Sequence, residues 1–599
     1  MTTTTLNQLF KNSYTRYAAR PALGWKTGGA YQYITYAELD QRVRNLALGL
    51  IALGVQPGDR VALLSENRWE WAVSDLAILR AGAATTPLYS TLPAKQVEDI
   101  VRDAGARVLI VSDAEQFAKA LEVKAELPAI EKVLVMADEV SLGDGEFDWA
   151  LRWREVLEGG AARLDEIPEL ERRAEAVQPD DLASLIYTSG TTGEPKGAML
   201  THNNFASNAV ASGRALAVTP DDAFQSFLPL AHVFERLCGH YLPLTEGASI
   251  GYTESMRTLQ LNLSEIKPTV LLGVPRIWEL LMAGIQAKGR RLKGLKRAAF
   301  DKALEVGMRV GKARLAGKQP SLLDKAALGL LDKKVLSEIR HALGGRLRLC
   351  ASGGAALPPA VGEFFFSLGI VLVEGFGLTE TSPVICMSRP PVPRIGTVGT
   401  CIDGVEVRIA ADGEILSRGP NVMKGYWNKP EATTEAIDAD GWFHTGDIGV
   451  IERDGSLRIA DRKKNILVLA NGKNVAPTLV ETTLLRSAFI AQIVVFGDQQ
   501  SALSALIVPN SAALREWAQT HGLGAATDAE LCNAPEVTRL IRGELERTSG
   551  DLADYEHVKR FKLLPMEFTI EAGELTPTMK IKRKVVAEKF AAELAAMAD

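Results

Sequence analysis

The eleven residues Tyr187-Thr-Ser-Gly-Thr-Thr-Gly-Glu-Pro-Lys-Gly197 bring three glycines, four Ser/Thr hydroxyls and one lysine into one short stretch. Glycines let main-chain N–H groups approach a ligand, hydroxyls donate further bonds and an ammonium adds a point charge, so the stretch suits the holding of phosphate. The run Leu182 to Ile186 precedes it and Ala198-Met-Leu-Thr-His202 follows, which places it as a loop leaving a strand. It is not the loop of nucleotide triphosphatases, which needs Gly-Lys followed at once by Ser or Thr. Here Pro195 precedes Lys196 and Gly197 follows it. A plain solvated turn uses similar residues, but rarely behind so apolar a strand.

Further groups lie downstream. Leu347-Arg-Leu-Cys-Ala-Ser-Gly-Gly-Ala-Ala-Leu357 is a strand-like run that ends in the small residues Gly353, Gly354 and Ala355. Val371-Leu-Val-Glu-Gly-Phe-Gly-Leu-Thr-Glu380 repeats the pattern through Gly375, Phe376, Gly377 and Thr379. Backbone without side-chain bulk lets a flat ring lie against it, and Glu380 offers a hard oxygen of the kind Mg²⁺ takes. Asp447 is followed fifteen residues later by Arg462. A carboxylate and a guanidinium suit the two hydroxyls of a sugar; a hairpin ion pair reads the same way. His232, in Phe227-Leu-Pro-Leu-Ala-His-Val-Phe-Glu-Arg236, reads as packing or as a site residue, and Trp278 as core. Leu575-Thr-Pro-Thr-Met-Lys-Ile-Lys-Arg-Lys584 is a charge-dense loop with Lys580 inside it.

The elements that must position these groups follow from the apolar periodicity. Residues 36–54 carry apolar side chains at helical spacing and end in glycine; 60–65 read as a buried strand, 70–81 as a helix and 107–113 as another strand. Such alternation predicts parallel sheets with helices on their faces. Residues 269–278 predict a strand running into a turn at Pro275, and 481–508 a small α/β unit. Residues 288–340 stand apart, with fifteen Lys/Arg against five Asp/Glu. They read either as a solvated helical hairpin or as a basic surface that meets anionic lipid.

A chain of 599 residues is too long for one core, so about two to four units are expected. Hydrophobic content of 47% and charged content of 24% are those of an ordinary globular protein. A net charge of −5 speaks against nucleic acid as partner. The cysteines Cys238, Cys350, Cys386, Cys401 and Cys532 are scattered, which fits a reducing compartment and no zinc site. Met1-Thr-Thr-Thr-Thr-Leu6 lacks a basic region followed by an apolar one, so no secretory signal is expected, and no run of about 18 apolar residues offers a membrane span. The expectation is a cytoplasmic protein, with the inner face of a membrane as a peripheral location.

Taken together and in this order, the stretches 187–197, 375–380, 444–447 and 461–464 resemble the adenylate-forming superfamily of acyl-CoA synthetases, luciferases and nonribosomal adenylation domains. The resemblance spans essentially the whole chain. Residues 228–236, the basic insertion and residues 575–580 are most similar to long-chain fatty acyl-CoA synthetases. That resemblance implies an α/β fold: a large N-terminal domain, 1–461, of α/β subdomains plus a distorted β-barrel, with the basic helical insertion at about 288–340. A hinge at 462–464, with Lys464, would join it to a small mobile α+β C-terminal domain, 465–599.

The resemblance also implies roles. Thr188, Ser189, Gly190, Thr191, Thr192, Gly193 and Lys196 would hold the β- and γ-phosphates of ATP, and Thr188 and Glu380 would place Mg²⁺. Gly353, Gly354, Ala355, Gly375, Phe376 and Gly377 would line the adenine slot, Thr379 would touch the α-phosphate, and Asp447 and Arg462 would take the ribose. Lys580 would bridge the fatty carboxylate to ribose or α-phosphate oxygens, with Lys582 as the alternative if the register differs by two. Gly472 would let coenzyme A pass, His232 would flank the acyl–thiol meeting point and Trp278 would gate the acyl tunnel. Phe376 stands where many relatives carry tyrosine, and Met579 where the commonest form has glycine. The implied activity is ligation of a long-chain fatty acid to coenzyme A through an acyl-adenylate. The alternatives are a carrier-protein acceptor, an aryl or medium-chain acid, or a non-catalytic lipid- or nucleotide-binding relative.

Overall fold

A computed structural model describes residues 4–143, 147–189, 195–470, 473–570, 572–576 and 581–598. The expected buried strands build two mixed sheets. One has eight strands, in the order Gly425–Tyr426, Pro195–Thr201, Leu182–Ser189, Ala84–Leu88, Arg60–Leu64, Val108–Val111, Lys132–Val135 and Ala150–Arg152. From Leu182–Ser189 onward its neighbours run parallel. At Leu182–Ser189 it turns antiparallel, through Pro195–Thr201.

The other sheet has nine strands, with Ala223–Ser226, Val270–Gly273, Leu349–Ser352 and Val371–Gly377 as parallel neighbours near its centre. Helices cover and join the two. The helix Tyr36–Ala52 starts where Thr35 and Glu38 cap each other, as the Thr-x-x-Glu pattern dictates. The helix Trp69–Arg80 is buried from Glu70 to Leu79, as one enclosed on all sides must be. The helix His202–Leu216 follows the phosphate-type strands, and its Asn208 Nδ2 donates to the Val384 carbonyl at 2.7 Å, tying one sheet to the other.

Two expectations change. Pro275 does not make a turn; it opens the helix Pro275–Arg291, where a missing N–H costs nothing and a fixed φ favours the first helical turn. The basic stretch is a helical hairpin, but not a wholly solvated one. It continues through the helices Gly294–Leu315 and Leu322–Leu331, and Phe300, Ala303, Val306 and Val310 are buried along one stripe of the first.

Four antiparallel strands, Glu406–Ile409, Glu414–Arg418, Phe443–Ile451 and Leu457–Arg462, form a third sheet. Beyond it the chain builds a separate core on the three-stranded sheet of Ile490–Phe496, Leu503–Pro509 and Val558–Leu563. That unit touches the large one directly. Arg276 reaches the Glu567 carboxylate at 3.4 Å, and Thr478 N–H donates to Asp461 at 2.6 Å.

Candidate functional site

The C-terminal ends of parallel strands are where open α/β sheets bind ligands, because the chain leaves them as loops over a common crevice. Leu349–Ser352 and Val371–Gly377 are such neighbours, with Ser352 opposite Glu374. Gly353 and Gly354 leave the first, and Gly375, Phe376 and Gly377 finish the second. All five border a cavity of about 960 Å³. Gly354 has φ +84°, a conformation that favours glycine. A methyl at Gly377 would run into the Pro383 carbonyl oxygen, so that position excludes side chains for a packing reason. Ala355, by contrast, is exposed and does not line the cavity.

Thr188 and Lys196 face each other across the antiparallel pair of Leu182–Ser189 and Pro195–Thr201, and both line the same cavity. Residues opposite one another in such a pair share a face of the sheet. Tyr187, one residue earlier, donates its hydroxyl to Asp103 at 2.6 Å, which pins the strand's end to the helix Ala94–Ala104. Gly190, Thr191, Thr192 and Gly193 lie outside the described residues. Ser189 ends the strand.

Across the cavity, Thr379 and Glu380 form a short 3₁₀ turn after Val371–Gly377. Glu380 accepts the Tyr426 hydroxyl at 2.7 Å. The expected ribose pair is a cross-strand pair: Asp447 and Arg462 lie directly opposite, and the guanidinium Nε is 2.9 Å from the buried carboxylate. Arg462 borders the cavity, as do Lys464 and His232. Burial, with the Arg462 charge behind it, pushes the Lys464 ammonium below the ordinary lysine value against the pull of Asp447. His232 Nδ1 accepts the Phe234 N–H at 3.1 Å, which leaves a ring hydrogen to Nε2.

The small unit closes the cavity from its other side. Leu575, Thr576 and Lys582 line it. Lys582 N–H donates to the Glu574 carbonyl at 2.7 Å and Leu575 bridges Ile581, so both stems of the Lys580 loop stand at the cavity. Lys580 itself, and Gly472, lie outside the described residues. Trp278 is not a lining residue. It is fully buried, its ring edge-on to Phe365 at 5.6 Å, and it fills the space beside Gly273.

Sequence reasoning missed two groups. Tyr426, which holds Glu380, carried no signal beyond its place in Gly425-Tyr-Trp427. The other is a buried charge cluster behind the phosphate strand. Arg236 pairs with Asp75, both with no exposed side-chain surface, and donates to Ser184 Oγ at 2.6 Å. Thr85 and Tyr241 donate to Asp75 at 2.7 Å each. Burial works to raise the Asp75 carboxyl, but the Arg236 guanidinium and His240 overcome it and hold it well below the usual carboxylate range. Close by, burial pushes the Glu235 carboxyl up to about 8.

The donor set fits a nucleotide with its cation. It offers side-chain-free backbone for a flat ring, a carboxylate–guanidinium pair, and a lysine with one hydroxyl and one carboxylate, oxygens of the hard kind that a divalent cation takes. The comparisons agree. Residues 10–427 match the family model described as AMP-binding enzyme, and residues 464–599 match that of the AMP-binding enzyme C-terminal domain. The chain is similar to the long-chain-fatty-acid–CoA ligase FadD15 of Mycobacterium bovis, with 39% identity over 95% of this chain and 93% of that one. It is 33% identical to human long-chain-fatty-acid–CoA ligase 1 over 96% of this chain and 84% of that one. Among solved structures, an anthranilate CoA ligase in complex with anthranoyl-AMP shares the fold, at a TM-score of 0.75 and 22% identity over 99% of this chain and 98% of that one. On the family matches and the relatives' identity together, this chain belongs to the AMP-binding enzymes.

Proposed function

We propose that the chain is an AMP-forming long-chain fatty acid–CoA ligase. The observation that carries this reading is one cavity bordered by the Thr188–Lys196 pair, the glycine slot, Arg462 and the stems of the Lys580 loop. Relatives at 33–39% identity carry the substrate in their names. Leu216, Val233, Cys238 and Leu272 supply an apolar wall that suits an acyl chain.

In the first step the fatty carboxylate, ionised at pH 7, attacks the α-phosphorus of ATP. The new O–P bond gives acyl-adenylate as the bond to pyrophosphate breaks. In the second the coenzyme A sulfur attacks the acyl carbonyl, AMP leaves with the bonding pair and the thiol proton passes to solvent. The protein's part is to orient and to neutralise charge. Lys196 and the loop hydroxyls would take the pyrophosphate half, Asp447 and Arg462 the ribose, and Lys580 the attacking carboxylate. Thr188 and Glu380 would hold Mg²⁺, which when bound neutralises phosphate charge. We place the large unit at 1–461, the hinge at 462–464 and the small unit at 465–599.

Purified protein with ATP, Mg²⁺ and palmitate is expected to release pyrophosphate, and on adding coenzyme A to form palmitoyl-CoA and AMP. Pyrophosphate without thioester would move the acceptor to a carrier protein. Release with benzoate but not palmitate would make the substrate an aryl acid. No release with any acid would leave a binding protein.

We also propose a peripheral contact with anionic lipid through the 288–340 segment. No helix among the described residues is long and apolar enough to cross a membrane. Leu295, Leu322 and Leu323 are 84–89% exposed, and Arg291, Lys293 and Lys296 stand exposed beside the first of them. Exposed leucine among cations suits the boundary of a charged bilayer. Leu322→Ser with Leu323→Ser is expected to lower sedimentation with anionic vesicles, as is neutralising Arg290, Arg291, Lys293, Lys296 and Arg297. Unchanged sedimentation in both variants would remove the lipid contact.

A further inference from the structure

The segment from Met423 to Trp427 sits between the two halves of the nucleotide site and is bonded to both. Met423 N–H donates to the Glu380 carbonyl at 2.8 Å. Lys424 N–H donates to the Met199 carbonyl at 2.9 Å and Trp427 N–H to the Gly197 carbonyl at 2.8 Å, so the segment is also an edge strand on Pro195–Thr201. Tyr426, opposite Ala198 in that pairing, is held by its own N–H on Thr433 Oγ1 at 2.9 Å. Its hydroxyl donates to Glu380 Oε1 at 2.7 Å. The Lys196 ammonium lies 5.3 Å from the centre of its ring.

One side chain therefore touches a group from each half, the lysine of the phosphate hairpin and the carboxylate of the facing turn. We propose that Tyr426 is a positioning residue of this site: its hydroxyl orients the Glu380 carboxylate toward a divalent cation, and its ring seats Lys196. This rests on the reading of Glu380 as a cation ligand in the proposed ligase.

The choice of a phenol has a chemical reason. A neutral donor fixes one carboxylate oxygen and leaves the negative charge for a cation, whereas a lysine or arginine there would neutralise it. A phenol is protonated at neutral pH and so remains a donor. The aromatic face attracts the Lys196 ammonium through its quadrupole, without the hydrogen bond that would compete for phosphate. A tyrosine retained only for packing would need the ring and not the hydroxyl.

Tyr426→Phe separates the two, because it keeps the ring and loses only the donor. The expected result is a weakening of about 10- to 100-fold in Mn²⁺ affinity, the usual range for losing a group that orients a metal ligand. Mn²⁺ binding is read by electron paramagnetic resonance on the protein with a non-hydrolysable ATP analogue. The Mg²⁺ concentration for half-maximal pyrophosphate release should rise by a similar factor, with the KM for palmitate and the melting temperature unmoved. Glu380→Gln should weaken Mn²⁺ at least as much, and adding Tyr426→Phe to it should cost nothing more. Tyr426→Leu, which also loses the ring, should in addition raise the KM for ATP. If Glu380→Gln weakens Mn²⁺ and Tyr426→Phe binds it like the parent, the positioning role is overturned and the ligase reading stands. If Glu380→Gln leaves Mn²⁺ affinity unchanged, the cation role of Glu380 fails and the proposal fails with it.

Discussion

Lys580→Ala is expected to lower fatty-acid-dependent pyrophosphate release by about 10²–10³-fold, the usual cost of removing one group aimed at developing charge. Conversion of supplied palmitoyl-adenylate to palmitoyl-CoA should stay within a few-fold of the parent. The reason is positional. Both stems of the loop that carries Lys580 stand at the nucleotide cavity, with Leu575, Thr576 and Lys582 on its wall. A carboxylate attacking a phosphorus that already bears negative oxygens needs a cation between the two. Thioester formation does not, because the thiol meets a neutral acyl carbonyl. Measuring the two half-reactions separately decides the matter. If both fall equally, Lys580 acts on folding or closure and not on adenylation. Lys582→Ala is the paired control, since that lysine lines the cavity; a loss confined to Lys582 would move the role two residues along.

The second large effect is on stability. Asp75→Ala is expected to destabilise the large unit by about 3–5 kcal/mol, because it leaves the Arg236 guanidinium buried without its counter-charge. Both side chains have no exposed surface, and Trp71, Phe205 and Tyr241 ring the guanidinium at 5.3–5.6 Å. Replacing both partners should cost less than removing one, so Asp75→Leu with Arg236→Met should recover part of the loss. A urea titration followed by tryptophan fluorescence reads the midpoint of that unit. A single variant as stable as the parent, or a double variant worse than the single, would contradict the account. The cluster bears on function through Ser184, which accepts from Arg236 and donates to the Thr85 carbonyl at 2.6 Å. Ser184 lies on Leu182–Ser189, the strand that delivers Thr188, so loosening the cluster loosens the phosphate hairpin.

Much of the local structure was legible because it depends on neighbours in sequence. The helix from Tyr36 follows from its Thr35–Glu38 cap and apolar spacing. The strands at 60–64 and 108–111 follow from short apolar runs bounded by polar residues. Pro275 shows the limit: the same residue ends one element or begins the next, and only the buried face of Pro275–Arg291 decides. The basic stretch shows it too. Charge count allows a solvated hairpin or a lipid-facing basic surface, and does not show that every third or fourth residue from Phe300 to Val310 packs inward while Leu322–Leu331 buries none.

The sequence alone determined the chemistry on offer: a phosphate-type loop, two small-residue strand ends, a carboxylate, an aspartate–arginine spacing and a late lysine. Those depend on residue type and on short separations, where backbone geometry leaves few alternatives. Only the tertiary structure decided which of them meet. Asp447 and Arg462 became partners because a hairpin set them opposite each other. Tyr426 reached Glu380 across 46 positions, and Arg236 reached Asp75 across 161, because strand order and sheet packing closed those distances. Trp278 went into the core beside Phe365 because its helix packs that face inward. Contacts between distant residues are set by the summed burial of many side chains, and no single stretch of sequence carries that information.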